Sequence, residues 1–323
     1  MTMWQNSSPA FLPIRVSAIH PKSPPGLCFG RILSGLALGF PGMLLADPTT
    51  IDPDRHHAWA ANIGWLDFRG GGPTGGAVGE YILSGYVYSA NCGWISLGDG
   101  TPTDGINYSN TSSSDFGVNV VPSVASALTA SLRGYAYGAN IGWIHFESTG
   151  NPRIDVTTGA FRGYAWSANC GWINLGELGV ALETDSMVAG TDSDGDQIAD
   201  AFELSYYPAG LGIMGIGTDQ DGDGVSDRDE YLADTDPLDN TSALRITAFN
   251  VNSTRTLATL TWTSRDTRLY RLWATEDINV PWTPGESNIR PAGTLTTQSF
   301  VYPPASHRFY RIEAVRPLIV TPP

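Results

Sequence analysis

The chain has 323 residues, room for about two domains on length alone. Its 41% hydrophobic and 11% aromatic content supplies packed cores and argues against a disordered polymer, while 37 glycines and 22 prolines favour turns and short strands over long helices. A net charge of −14 argues against nucleic acid or anionic membrane as partners and favours cations.

Residues 1–46 read as a signal peptide. Arg15, Lys22 and Arg31 precede the apolar run Ile32–Ala46, and no acid occurs before Asp47. That run has the length of a signal-peptide apolar region and falls short of the ~20 residues that a spanning helix needs. Cleavage is expected after Ala46, which leaves 15 bases against 32 acids, a net charge of −17. No later stretch is long and apolar enough to span a bilayer, so the mature chain is expected to be secreted, extracellular or at the cell surface. Cys28 leaves with the leader. Cys92 and Cys170 remain, and both a bridge and two buried free thiols fit the sequence.

Residues 47–180 contain one phrase four times: HHAWAANIGWLDF (56–68), GYVYSANCGWISL (85–97), GYAYGANIGWIHF (134–146) and GYAWSANCGWINL (163–175). The anchors Trp65, Trp94, Trp143 and Trp172 are spaced 29, 49 and 29 residues apart, as expected of a two-repeat unit duplicated once. Each phrase alternates with period two on both sides of an Ala-Asn-(Ile/Cys)-Gly turn, the pattern of a β-hairpin. Bulk at Trp172, Ile173 and Leu175 predicts strands buried on both faces and hairpins stacked on one another. Sandwich, small propeller and solenoid all fit that pattern. On this reading the recurrent tryptophans are core staples and the asparagines turn formers. The competing reading is a row of aromatic platforms suited to sugars. The residue after each Trp-Ile or Trp-Leu changes freely (Asp67, Ser96, His145, Asn174), which marks an outward position without a catalytic role. The phrase resembles the GYAW-x-x-N-x-GWI repeats of secreted bacterial proteins, a likeness that implies modularity and export and names no activity.

Residues 181–240 are acidic. Sixteen acids lie between Glu183 and Asp239, against the single base Arg228. Asp192, Asp194, Asp196, Asp200 and Glu203 fall at positions 1, 3, 5, 9 and 12 of one loop, and Asp219, Asp221, Asp223, Asp227 and Glu230 take the same positions in a second. Alternate carboxylates closed by a glutamate suit a hard, oxygen-seeking cation of Ca2+ size, with Ile198 and Val225 offering backbone carbonyls at position 7. Asp234 and Asp236 are candidates to extend the second site. Gly224 meets the need for a sharp turn at position 6, whereas the first loop has Gln197 there. Short helices are expected from Asp200 and Asp227, with both glutamates in their first turns. The segment resembles thrombospondin type 3 and single-EF-hand calcium repeats, which implies Ca2+ as the bound ion. Dockerin modules use similar loops but usually lack the glutamate at position 12, which makes cohesin docking the weaker reading.

Residues 241–323 alternate again in ALRITAFNV, TLATLTWTS, RLYRLWATE and HRFYRIEAV, and are similar to the fibronectin-like β-sandwich modules that follow such acidic repeats. Trp262, Trp273 and Trp282 are expected in core and edge packing.

No HExxH, GxSxG or Cys/His arrangement is present among His56, His57, His145 and His307. His56-His57, beside Asp52 and Asp54, reads as an exposed pair or a transition-metal site. The expectation is therefore a mainly β, non-enzymatic secreted protein. A tandem β-hairpin repeat domain is joined by a Ca2+-binding loop-helix connector to a C-terminal β-sandwich. The expected partners are an extracellular protein or a glycan. The alternative is a carbohydrate-binding module or a glycan-acting hydrolase using the repeat aromatics.

Overall fold

The computed structural model describes residues 49–122, 128–303 and 308–320. The expected leader (1–46), Cys28 and His307 lie outside them. The described chain is mainly antiparallel β with two short helices.

Each repeat phrase folds as a hairpin: Ile51–Ala60 with Gly64–Asp67, Leu83–Ser89 with Gly93–Gly98, Thr129–Gly138 with Gly142–Phe146, and Tyr164–Ser167 with Gly171–Asn174. Gly64, Gly93, Gly142 and Gly171 close the turns at φ between 70° and 77°, a backbone that side chains disfavour. The hairpins do not stack face on face. They pair edge to edge through Asp67↔Tyr88, Ile95↔Gly138, Ser167↔Ile144 and Ala60↔Ile173. The last contact joins the fourth hairpin to the first, so eight strands form a closed ring with no free edge between them.

The interior alternates small against large. Ala58 faces Leu66, Val87 faces Ile95, Ala136 faces Ile144 and Ala165 faces Ile173, all fully buried. One end is plugged by Ile63, Cys92, Ile141 and Cys170, all buried, with both cysteines as free thiols. Around that end the turn asparagines form a ring of hydrogen bonds. Asn91 Nδ2 donates to the Ile63 carbonyl (3.0 Å), Asn140 to Cys92 (3.1 Å), Asn169 to Ile141 (2.9 Å) and Asn62 to Cys170 (3.2 Å). Each amide thus ties its turn to the preceding one, a contact beyond the turn-forming role read from sequence.

The tryptophans are not core staples. Trp65, Trp94, Trp143 and Trp172 are 54, 50, 39 and 49% exposed. A closed ring has only one interior, so the strands bury one face, and the outer face is left to solvent. There each Trp sits directly across from a second ring: Trp59↔Trp65, Tyr88↔Trp94, Tyr137↔Trp143 and Trp166↔Trp172. In the first three pairs the ring centroids are 4.9 Å apart. The result is a belt of aromatic pairs around the outside.

In the acidic segment the expected helices are Asp200–Tyr206 (α1) and Asp227–Ala233 (α2). Ser226 caps α2 by accepting from Asp229 N at 3.2 Å, and Arg268 donates to the carbonyls of Tyr231 and Leu232 at its C-terminal end. Beyond it, Ile246–Val251, Leu257–Thr263 and Leu295–Val301 form one three-stranded sheet. Thr283–Pro284, Leu269–Thr275 and Phe309–Val315 form another. Leu260, Trp262 and Phe300 from the first pack with Tyr270, Leu272 and Ile312 from the second. Trp273 and Trp282 are partly buried at the edge, flanking Arg311, whose guanidinium lies 5.2 Å from each ring.

The chain then returns to the ring side, where Ile319–Val320 pairs in parallel with Met187–Val188. At that meeting point Arg316 bonds Glu80 at 3.1 and 3.2 Å and also reaches the Tyr231 hydroxyl, which itself donates to Glu80 at 3.0 Å. One largely buried cluster thus joins the ring, α2 and the C-terminal tail.

Candidate metal centre

Both acidic loops are cinched by their first carboxylate. Asp192 accepts from the backbone N–H groups of Gly195 (2.8 Å), Asp196 (3.2 Å) and Gln197 (2.9 Å). Asp219 accepts from Gly222 (2.8 Å), Asp223 (3.1 Å) and Gly224 (2.9 Å). Position 6 is left-handed in both loops, with Gly224 at φ 91° and Gln197 at φ 72°. Gln197 therefore takes the turn at the steric cost of its Cβ, about 1 kcal/mol.

This folding gathers Asp192, Asp194 and Asp196 in the first loop and Asp219, Asp221 and Asp223 in the second, with carboxylate oxygens within 4.8 Å of one another. At position 7, Ile198 is fully buried beside Ala199, Met214 and Tyr231, and Val225 is half-buried. Their N–H groups donate to Asp196 (2.9 Å) and Asp223 (2.8 Å).

The structure gives two of the expected ligands another task. Asp200 accepts from the Ser193 N–H (2.7 Å) and hydroxyl (2.6 Å), one on each oxygen. Asp227 is likewise bonded at both oxygens, by the Gln220 N–H (3.0 Å) and the Thr218 hydroxyl. Asp200 and Asp227 tie the start of each loop to the start of its helix and stand outside the gathered acids. Asp234 and Asp236 are also engaged elsewhere. Asp234 accepts from Thr267, and Asp236 accepts from Leu238 N at 3.0 Å.

Glu203 and Glu230 close the loops, 1% and 0% exposed. Gly212 N–H donates to one oxygen of Glu203 (3.2 Å) and the Thr235 hydroxyl to one of Glu230 (3.1 Å). Their second oxygens, with Asp196 Oδ2 and Asp221 Oδ2, are buried and have no hydrogen-bond partner. A buried orphaned carboxylate oxygen is costly unless a proton or a cation meets it. Burial, reinforced by the neighbouring aspartates, pushes Glu203 up to about 7 and Glu230 up to about 8. The same two causes raise Asp196 and Asp221. Oxygen-only donors with excess negative charge fit a hard divalent cation.

The two loops differ at position 5, in a way not evident from their spacing. Asp223 is bound by Arg245, which donates to its carboxylate (2.8 Å) and its backbone carbonyl (3.0 Å), whereas Asp196 has no such partner. Arg245 precedes the first C-terminal strand, so the second loop is tied directly to the sheets. An arginine 22 residues downstream carries no local signal in the sequence.

A second feature lies on the ring's outer face. Phe116, from the long segment between the second and third hairpins, stands edge-on to Trp143 at 5.1 Å. Tyr135 lies 4.9 Å from His145, also edge-on. With Asn110 and Ser112 these rings line a cleft of about 400 Å3 that holds no Asp, Glu, Lys or Arg.

Known proteins supply no parallel. No protein-family model, curated protein or solved structure matches the chain. Among the described residues no helix is long and apolar enough to cross a membrane.

Proposed function

We propose that the chain is a secreted, non-enzymatic calcium-binding protein in which two Ca2+-filled loops set a connector between the repeat ring and a fibronectin-like β-sandwich. The observation that carries this reading is the set of four buried carboxylate oxygens without partners, two in each loop, at Asp196, Glu203, Asp221 and Glu230. Ca2+ meets the oxygen-only donor set and neutralises charges that repel one another when the loops are empty. Asp192, Asp194, Asp196 and Glu203 hold one ion, and Asp219, Asp221, Asp223 and Glu230 the other. The carbonyls of Ile198 and Val225 complete them. Asp200 and Asp227 brace the loops. The bonds from Arg245 to Asp223 and from Arg316 to Glu80 pass the order of the loops to both neighbouring modules. Extracellular modules of this type bind Ca2+ at about 10⁻⁴–10⁻³ M, which suits constant occupancy outside the cell. Calorimetric titration of the mature chain tests this: two Ca2+ ions per chain are expected. Equal melting curves in excess chelator and in millimolar Ca2+ overturn it.

The exposed aromatic belt supports a second reading for the ring, as a carbohydrate-binding surface. Large contiguous aromatic surface marks a contact site, and aromatic faces beside hydroxyl and amide groups suit a sugar. The cleft at Trp143, Tyr135 and Phe116 is its best-formed position. Glycan-array binding that is lost in Trp143→Ala supports this reading. A purely protein partner leaves the array blank.

A further inference from the structure

We propose that the first hairpin carries a separate site for a borderline transition-metal ion such as Zn2+, Ni2+ or Cu2+, formed by His56, His57 and Asp67. Adjacent residues of a regular strand point to opposite faces. Here the strand Ile51–Ala60 has a register irregularity between Ile51 and His56 where it pairs with Leu182–Thr184. The two imidazole rings come to lie 3.9 Å apart. Asp67 is the cross-strand partner of His57, and its Oδ1 lies 2.6 Å from His56 Nδ1. One ligand atom from each of the three residues lies within 4.8 Å of the others. All three are half-buried.

Comparison with the other repeats singles the site out. Where the first hairpin has His56-His57, the others have Gly85-Tyr86, Gly134-Tyr135 and Gly163-Tyr164. Those glycines are required. Their φ angles are 85°, 106° and 80°, and an added Cβ would stand 2.2, 2.4 and 2.2 Å from the carbonyls of Gly75, Gly117 and Asn151. His56 instead keeps a strand backbone and pairs with Leu182. This frees position 56 from glycine, but it does not call for two histidines. Across the pair the other repeats place Ser96, His145 and Asn174 opposite a tyrosine, and only the first places an acid. Two imidazoles and a carboxylate are a ligand set for Zn2+, Ni2+ or Cu2+, whereas the acidic loops offer oxygen alone. The flanking acid Asp52, beside the pair in sequence, is committed to the N–H groups of Asp54 (2.8 Å) and Arg55 (2.7 Å). Asp67 therefore takes the place that sequence proximity suggested for Asp52. Burial and the neighbouring His56 lower His57, which favours the neutral imidazole that a metal binds.

The test uses Zn2+ alone as the probe, titrated into the full mature chain with millimolar Ca2+ holding the acidic loops. The expected result is a single Zn2+ bound at micromolar affinity. His57→Tyr restores the residue of the other three repeats. It should leave the metal-free melting temperature unchanged and weaken Zn2+ binding by at least about tenfold. Asp67→Asn should weaken it in the same direction, and His57→Gln gives the same reading should the tyrosine disturb the hairpin. The proposal is overturned by absence of Zn2+ binding, by binding that His57→Tyr and His57→Gln leave intact, or by Zn2+ released on raising Ca2+. None of these outcomes bears on Ca2+ binding by the loops.

Discussion

The ring and the C-terminal sheets use tryptophan in opposite ways. In the ring four equivalent tryptophans face solvent at 39–54% exposure, while in the sheets Trp262 is 0% exposed and packs edge-on against Tyr270 at 5.8 Å. Both lie on strands with the same alternating pattern. The difference is one of closure. Two sheets facing each other bury a large side chain in the space between them, whereas a ring of eight strands fills its narrow interior with Ala, Val, Leu and Ile and turns the largest rings outward. Alternation says that a strand has two faces. It does not say which face is the core.

Substitution tests this contrast most sharply. Trp262→Ala should cost about 3–5 kcal/mol in chemical denaturation, because it empties a fully buried site. A loss below ~1 kcal/mol would break the contrast. Removal of Ca2+ comes next, with an expected loss of about 1–2 kcal/mol per loop, read as a chelator-induced fall in melting temperature. That effect depends on pH. With folded values of about 7 and about 8 against the ordinary 4.5, Glu203 and Glu230 bind more protons in the folded metal-free chain than in the unfolded one. Metal-free stability should therefore fall as pH rises from 4.5 towards 8, and Ca2+, which holds both ionised, should abolish the fall. Asn169→Ala removes one link of the asparagine ring, leaves the Ile141 carbonyl unpaired, and should cost about 1 kcal/mol. Gln197→Gly relieves a left-handed backbone and should gain about 0.5 kcal/mol, with tighter Ca2+ binding in the first loop. Trp94→Ala, on the outer belt, should change stability least, by under ~0.5 kcal/mol. A larger effect would show that the belt supports the ring itself.

Much of the local structure was legible because its causes are local. The Asn-x-Gly turns, the hairpins beside them, the helices from Asp200 and Asp227 and the alternation around Trp262 follow from residues within a few positions of one another. The acidic loops were legible for the same reason, since Asp192 and Asp219 bond N–H groups three to five residues away. The roles of Asp200 and Asp227 were not, because spacing places a carboxylate near a loop without showing which hydrogen bonds it already makes. Arg245 on Asp223, and Arg316 on Glu80, join residues 22 and 236 positions apart. Nothing in their immediate sequence announces them.

By itself the sequence determined that the chain is β-rich, that its hairpins repeat four times, and where two clusters of carboxylates sit. Period-two alternation, turn residues and ligand spacing act over a few residues and need no distant partner. Tertiary structure alone decided that the fourth hairpin pairs with the first, and from that closure follow the outward tryptophans and the ring of asparagines. It also decided that His56, His57 and Asp67 would come together on the first hairpin. Closure depends on how strand twist accumulates over all eight strands, a property of the whole sheet that no single repeat carries.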